Sequence, residues 1–346
     1  MRRVSDGNIL YSFRGIASEI VFSPDGLSFV TLPGDGTFEF HRASNGALLK
    51  KITGFTNSFT SVSFSPDGRY LAAGASDDLV RVWRVKDGER ALYFSTQANQ
   101  VSFAPDGGLL ATGSNDGTVL VWNLTSGEKR VLRTGSSEPR NLWRINSLQF
   151  TPNGQSLIAG SQDCTIQAWD PSSGKSQWLV ENGWDGDDTW SNKPVDSIAS
   201  SPDNQKVAIN NWNSVLFFAI RNGEALQPLT LLEKYSVKQI AFFPNEKRIA
   251  VETSEGQEFE IWDLDLFKMV YRVSGPSNNL IISPDGKLIA TSDQEGNIYL
   301  WQSEDGKQVI RLRGHREGIT ELAFSPDGKF LASASVDGTI RLWGVQ

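Results

Sequence analysis

Three aspartates crowd one short segment, ENGWDGDDTWSNKP at residues 181–194: Asp185, Asp187 and Asp188. Closely spaced oxygen donors are what a hard divalent cation needs. The segment lacks the ligand spacing of a calcium loop, so we read it as a solvated acidic turn and expect no metal. Other chemistry-bearing residues are few. The histidines are His41 and His315, and Cys164 is the single cysteine. One cysteine excludes an internal disulfide framework and any multi-cysteine zinc site. Two histidines, one of them at a strand end, make no credible Ser/His/Asp triad. No Gly-rich loop leads into a helix to cradle a phosphate. Nothing in the sequence perturbs Cys164, which stands in the turn SQDCT. No catalytic residue and no cofactor are expected.

The elements that must carry these residues repeat. Turn prolines fall at positions 24, 66, 105, 152, 202, 244, 284 and 326. A period near 42 residues marks a repeat architecture. The last copy reads FSPDGKFLASASVDGTIRLW, residues 324–343. Its SPDG fits a type I turn, with Pro presetting φ and Gly ending the turn. VDGT is a second tight turn with Asp-Gly chemistry. The runs between the turns read as short strands, and the third ends in the apolar pair Ile340 and Leu342 before Trp343. The same pair recurs as Val80/Val82, Val119/Val121 and Ile298/Leu300. A Gly-containing link and a fourth strand complete each copy. Four antiparallel strands per copy make one propeller blade. A helical reading fails, because turn signals arrive every eight to twelve residues.

With these motifs the chain resembles the WD-repeat β-propellers over its whole length. The strand-ending tryptophans Trp83, Trp122, Trp169, Trp301 and Trp343 follow their turn prolines by 17 residues, and Trp262 follows by 18. The resemblance assigns these six a structural role. It also implies a buried polar network of Asp337, Ser333 or Ser335, His315 and Trp343. Only this last copy has the Gly-His pair, Gly314-His315, so the other blades must be held by packing and turns. In the first copy His41 takes the aromatic position. In the fifth, Phe217, Phe218 and Ala219 compete for it.

Eight turn prolines predict an all-β, eight-bladed propeller occupying residues 1–346 as one domain. The chain ends just after Trp343, where a fourth strand is still owed, and RVSDGNILYSF near its start resembles the link and fourth strand RVKDGERALYF at 84–94. The N-terminal strand is therefore expected to complete the last blade, since an open blade would expose an unpaired edge. The abrupt start also suits a segment of a longer protein.

Proline spacings of 47 and 50 locate two insertions, at residues 134–146 and 181–196. Both are blade-to-blade links flanking the fourth blade, so they are expected as neighbours on one face. Five tryptophans lie outside the strand positions: Trp143, Trp178, Trp184, Trp190 and Trp212. Trp178 falls on a predicted outer strand and reads as packing. Trp143, Trp184, Trp190 and Trp212 gather on the inserted rim with Arg140 and Arg144. Trp, Tyr and Arg dominate binding hot spots, so this rim is the candidate partner-binding site. Asp185, Asp187 and Asp188 would favour basic groups on the partner. The competing reading is that these tryptophans fold down onto the blade beneath.

The net charge of −7 argues against a nucleic-acid partner. No apolar stretch reaches membrane-spanning length, and no apolar leader follows the first residues. A cytoplasmic, monomeric, non-catalytic docking or sensing module for a protein or peptide is the expected function, and the repeat wording most resembles bacterial members of the family. A second resemblance points elsewhere. AWDPSSGKSQW, residues 168–178, is similar to the blade-docking motif of eight-bladed quinoproteins, which use pyrroloquinoline quinone. That match occurs once, without a vicinal cysteine pair.

Overall fold

The computed structural model describes residues 9–14, 19–33, 35–53, 59–75, 77–133, 144–180, 194–211, 214–231, 236–244, 247–253 and 258–345. Strands pair into eight four-stranded antiparallel sheets, with no helix among the described residues. Seven sheets are meanders of consecutive strands. The eighth joins Ile319–Phe324, Phe330–Ser335 and Thr339–Gly344 to Ile9–Arg14 from the far end of the chain. Tyr11 pairs with Leu342 and Ser12 with Arg341. The N-terminal strand thus completes the last blade, as expected, and the fold is an eight-bladed β-propeller.

Internal contacts group the chain into two units, residues 60–242 and residues 1–59 with 243–346. In each, alternation along the third strand of a blade explains the packing. Side chains point to opposite faces at successive positions. In the first unit Val80 and Val82 turn one way and cluster with Trp122 of the next blade. Val119 and Val121 meet Trp169 in the same manner. In the second unit Ile298 and Leu300 meet Trp343. All six strand tryptophans are buried. Burying one such ring contributes about 4–6 kcal/mol of apolar transfer energy before ordering costs.

The fifth blade settles its own register. Val207 pairs with Phe218, as Leu331 pairs with Trp343, so Phe218 holds the tryptophan position. In the first blade Phe29 pairs with His41, whose ring stacks on Phe29 at 5.2 Å. Burial holds the His41 pKa below its ordinary value, against the opposing pull of the Gly46 carbonyl and Glu39.

The SPDG turns are self-capped. In the last blade Ser325 Oγ donates to Asp327 at 2.7 Å, and Asp327 accepts the Lys329 amide at 3.1 Å. Gly328 closes the turn at φ +68°, where a side chain would be strained. Asn204 takes the glycine place in SPDN at φ +59°, which asparagine tolerates.

Candidate interaction site

Trp143, Trp184, Trp190, Trp212, Arg140, Asp185, Asp187 and Asp188 lie outside the described residues. Arg144 is described and exposed. What the structure shows is the base from which the two inserted segments rise. The first re-enters the fold at Ile145, fully buried, with its amide donating to the Ser114 carbonyl at 3.0 Å. The second re-enters at Val195, also buried, with its amide donating to the Ser161 carbonyl at 3.1 Å. Each residue sits over a strand glycine. A Cβ on Gly113 would stand 2.7 Å from the Ile145 side chain, and one on Gly160 would stand 2.8 Å from the Val195 Cβ. Glycine is needed at both places for the loop to seat.

The two bases are tied together. Ser161 Oγ donates to the Arg144 carbonyl at 3.3 Å, while the Ser161 backbone holds Val195. Gln162 also donates its amide to the Arg144 carbonyl, at 2.9 Å. Asn146 Nδ2 donates to Asp196 Oδ1 at 2.7 Å. Asn210 Oδ1 accepts the Ser197 amide at 3.0 Å. The C-terminal ends of both insertions thus meet over the turn 161–165 of the fourth blade. Cys164 lies in that turn at φ +69°, the place filled by Gly36, Gly117, Gly296 and Gly338 in the corresponding turns and by Asp78, at φ +60°, in the second blade.

The structural network of the last blade is complete. His315 Nδ1 faces Asp337 Oδ2 at 3.2 Å, and its Nε2 faces Ser333 Oγ at 2.8 Å. Trp343 Nε1 donates to the same Ser333 Oγ at 2.9 Å. Of the two serines left open by the sequence, Ser333 is the member. Ser335 turns instead to the Glu317 carbonyl at 2.8 Å. Burial lowers the His315 pKa to about 4, outweighing the attraction of Asp337. For Asp337, burial alone would raise the pKa, but bonds from Thr339 and the Arg316 amide bring it to about 2. The geometry is therefore a neutral histidine donating to a carboxylate, a scaffold device without an exposed reactive atom. Gly314 makes room for it, since a Cβ there would meet Arg341 Nη1 and Ile9 Cδ1 at 2.7 Å.

Other blades keep fragments of this network. Trp301 Nε1 donates to Thr291 Oγ1 at 2.8 Å. Trp262 Nε1 donates instead to Glu260 Oε2 at 2.8 Å, and Arg272 closes on Glu260 Oε1 at 2.7 Å. Trp122 Nε1 and Thr112 Oγ1 face no hydrogen-bond partner among the described residues, and Phe94 stacks on Trp122 at 4.0 Å. Phe94 pairs with Val80 as Leu312 pairs with Ile298, so the ring on Trp122 comes from the fourth strand of the preceding blade. The Glu260–Arg272 pair was missed by sequence reasoning, although both charges lie on strands. Glu321 was missed too. Burial on the inner strand of the last blade raises its pKa to about 7.

The segment 168–178 adopts the same link as its counterparts. Asp170 Oδ1 caps the Ser172 amide at 2.8 Å, as Asn123 Oδ1 caps Thr125 at 2.9 Å. Trp178 is packing, as read: it is buried, and its Nε1 donates to the Ile220 carbonyl at 2.7 Å.

The family model "WD domain, G-beta repeat" matches residues 46–84, 94–123, 133–170, 268–302 and 306–344, more than half of the chain. Over 79 residues the chain is 32% identical to WD repeat and HMG-box DNA-binding protein 1 of Xenopus laevis, a match covering 23% of this chain and 7% of that protein. Over 92 residues it is 30% identical to Pre-mRNA-processing factor 19 homolog 2 of Arabidopsis thaliana, covering 25% and 18%. Both matches span far less than two thirds of those relatives. The crystal structure of the computationally designed Ika8 protein superposes with a TM-score of 0.77 over 97% of this chain and 98% of that one, at 19% identity. That likeness concerns the fold alone. From the matched repeats and the complete polar network of the last of them, the chain belongs to the WD domain, G-beta repeat family.

Proposed function

We propose that this chain is a non-catalytic docking module that holds a protein or peptide partner on the rim built by its two inserted segments. The observation that carries the reading is their shared base, where Ser161 and the Asn146–Asp196 bond draw both segments to one place. A fixed base lowers the ordering cost of binding, so more of the contact energy appears as affinity. The tryptophans of 134–146 and 181–196 would supply the anchors, and Arg140, Arg144, Asp185, Asp187 and Asp188 the polar contacts, with basic groups preferred on the partner. Both histidines are engaged in packing or in the buried network, which supports binding over catalysis. WD-repeat membership supports a protein-interaction role in general. A cytoplasmic setting, one cooperative domain, a monomeric state and an origin among bacterial repeats remain parts of this proposal; the two relatives named above are eukaryotic.

The test is affinity capture from source lysate with two baits, wild type and a Trp184→Ala/Trp190→Ala double variant, after both are shown to fold. A partner kept by the wild type and lost by the variant supports the rim. Equal retention by both baits refutes it.

A further inference from the structure

The SPDG turns lie at the opposite strand ends from the inserted rim. The first blade's Asp25 keeps its serine, Ser23 Oγ at 2.6 Å, with Leu27 in the cation's place, and the third blade's turn lacks both serine and cation. In the second blade Asp67 accepts Ser65 Oγ at 2.6 Å and pairs with Arg69. In the seventh, Asp285 accepts Ser283 Oγ at 2.7 Å and pairs with Lys287 at 3.4 Å. In the eighth, Asp327 accepts Ser325 Oγ and pairs with Lys329, both at 2.7 Å. The third blade reads APDGG. Ala104 replaces the serine and Gly108 replaces the cation. Asp106 keeps one partner, the Gly108 amide at 2.9 Å, so its carboxylate has neither hydroxyl nor counter-charge among the described residues.

Asp106 also lines a groove of about 520 Å³ between the second and third blades. Its apolar lining is Val82, Leu92 and Leu124, with Tyr70 beside them, and the Asp67–Arg69 pair also lines it. The corresponding groove between the seventh and eighth blades is about 310 Å³, and both its aspartates, Asp285 and Asp327, are paired with lysines. Both aspartates of the smaller groove are thus paired, while the larger one holds one paired aspartate, Asp67, and one, Asp106, that has no counter-charge among the described residues.

We infer that this groove takes a lysine side chain from an extended peptide of a partner, its ammonium on Asp106 and its alkyl stem along Leu92 and Leu124. Lysine suits the shape because it lays an apolar stem on such a surface while keeping its head in water. Charge decides against the alternative occupant, a second copy of this chain, because each copy carries a net charge of −7. The site is separate from the inserted rim, and each stands or falls alone.

The test uses the whole chain with methyl-labelled leucine and valine, titrated with an end-blocked leucyl-lysyl-leucine peptide and its norleucine counterpart. Asp106→Asn removes the charge and keeps the turn, since Asn153 already fills that place in the fourth blade and accepts the Gln155 amide at 3.0 Å. Gly108→Lys supplies the missing internal cation. The lysine peptide should shift the Leu92 and Leu124 methyl signals, and bind about threefold to fivefold more weakly to either variant, the worth of one exposed ion pair. Equal binding of the two peptides, or unchanged binding to Asp106→Asn, overturns the inference. Shifts of the same signals on raising protein concentration alone would assign the groove to a second copy and overturn it too.

Discussion

Replacing Ser333 with alanine removes one hydroxyl and strands two buried groups. Trp343 Nε1 loses its acceptor at 2.9 Å, and His315 Nε2 loses its donor at 2.8 Å. Each buried group left unpaired costs about 1–3 kcal/mol, so the variant should lose about 2–5 kcal/mol. The same repeat position in the third blade holds Thr112, ten residues before its tryptophan as Ser333 is before Trp343. Thr112 Oγ1 has no hydrogen-bond partner among the described residues. Thr112→Val removes a buried hydroxyl that bonds nothing, so it should be neutral or stabilising. Urea unfolding of the two variants reads this directly. With a slope of about 3 kcal/mol per molar, Ser333→Ala should lower the midpoint by about 1 M at unchanged slope. A Ser333→Ala/Trp343→Phe cycle should return a coupling of about 1–2 kcal/mol. If Thr112→Val costs as much as Ser333→Ala, the hydroxyl matters through packing and the network argument fails.

His315, held near 4 against an ordinary 6.5, binds its proton more readily in the unfolded chain, so its contribution is full above pH 6.5 and is lost as pH falls toward 4. Glu321, raised from 4.5 to about 7, binds its proton more readily in the folded chain, so its contribution is lost as pH rises from 4.5 through 7. Between pH 5 and 7 each is worth about 2 kcal/mol with opposite sign, so their slopes cancel, and chemical unfolding of Glu321→Gln at the two pH values should unmask a loss at pH 5; an unchanged wild-type-like profile in that variant would sink the assignment. Gly160→Ala drives a Cβ into Val195, so it should destabilise by about 1–3 kcal/mol and increase amide exchange around 194–198, whereas equal protection in both proteins would refute the seating of the second insertion on that glycine.

The repeat was legible because its signals are local. Ser, Pro, Asp and Gly at a turn, or Asp-Gly-Thr at the next, bond within about five residues, and the bonds from Ser325 and Asp327 are of this kind. Alternation with period two placed Ile340 and Leu342 on one face and Trp343 on the other. Ring closure was legible as well, because the start of the chain repeats the wording of an internal fourth strand, and Ile9–Arg14 pairs where that wording puts it. Even the departure at Asp106 is written in the sequence, as APDGG where the second, seventh and eighth turns carry both serine and a cation.

Tertiary structure decided what depends on neighbours distant along the chain. Whether Ser333 or Ser335 meets His315 turns on pairing across an irregular ladder, where the register shifts between Ile319 and Glu321. The fifth blade's aromatic was fixed as Phe218 only by its partner strand. Nothing near Gly113 and Gly160 in the sequence signals that Ile145 and Val195, arriving from the links, pack over them. The sequence by itself determined the blades, because seven of them close their bonds within their own period and the eighth is completed by a strand that repeats the wording of an internal one. Only the folded chain decided which polar groups share a buried partner and where the inserted segments are rooted, because those contacts join residues that one period of sequence does not contain.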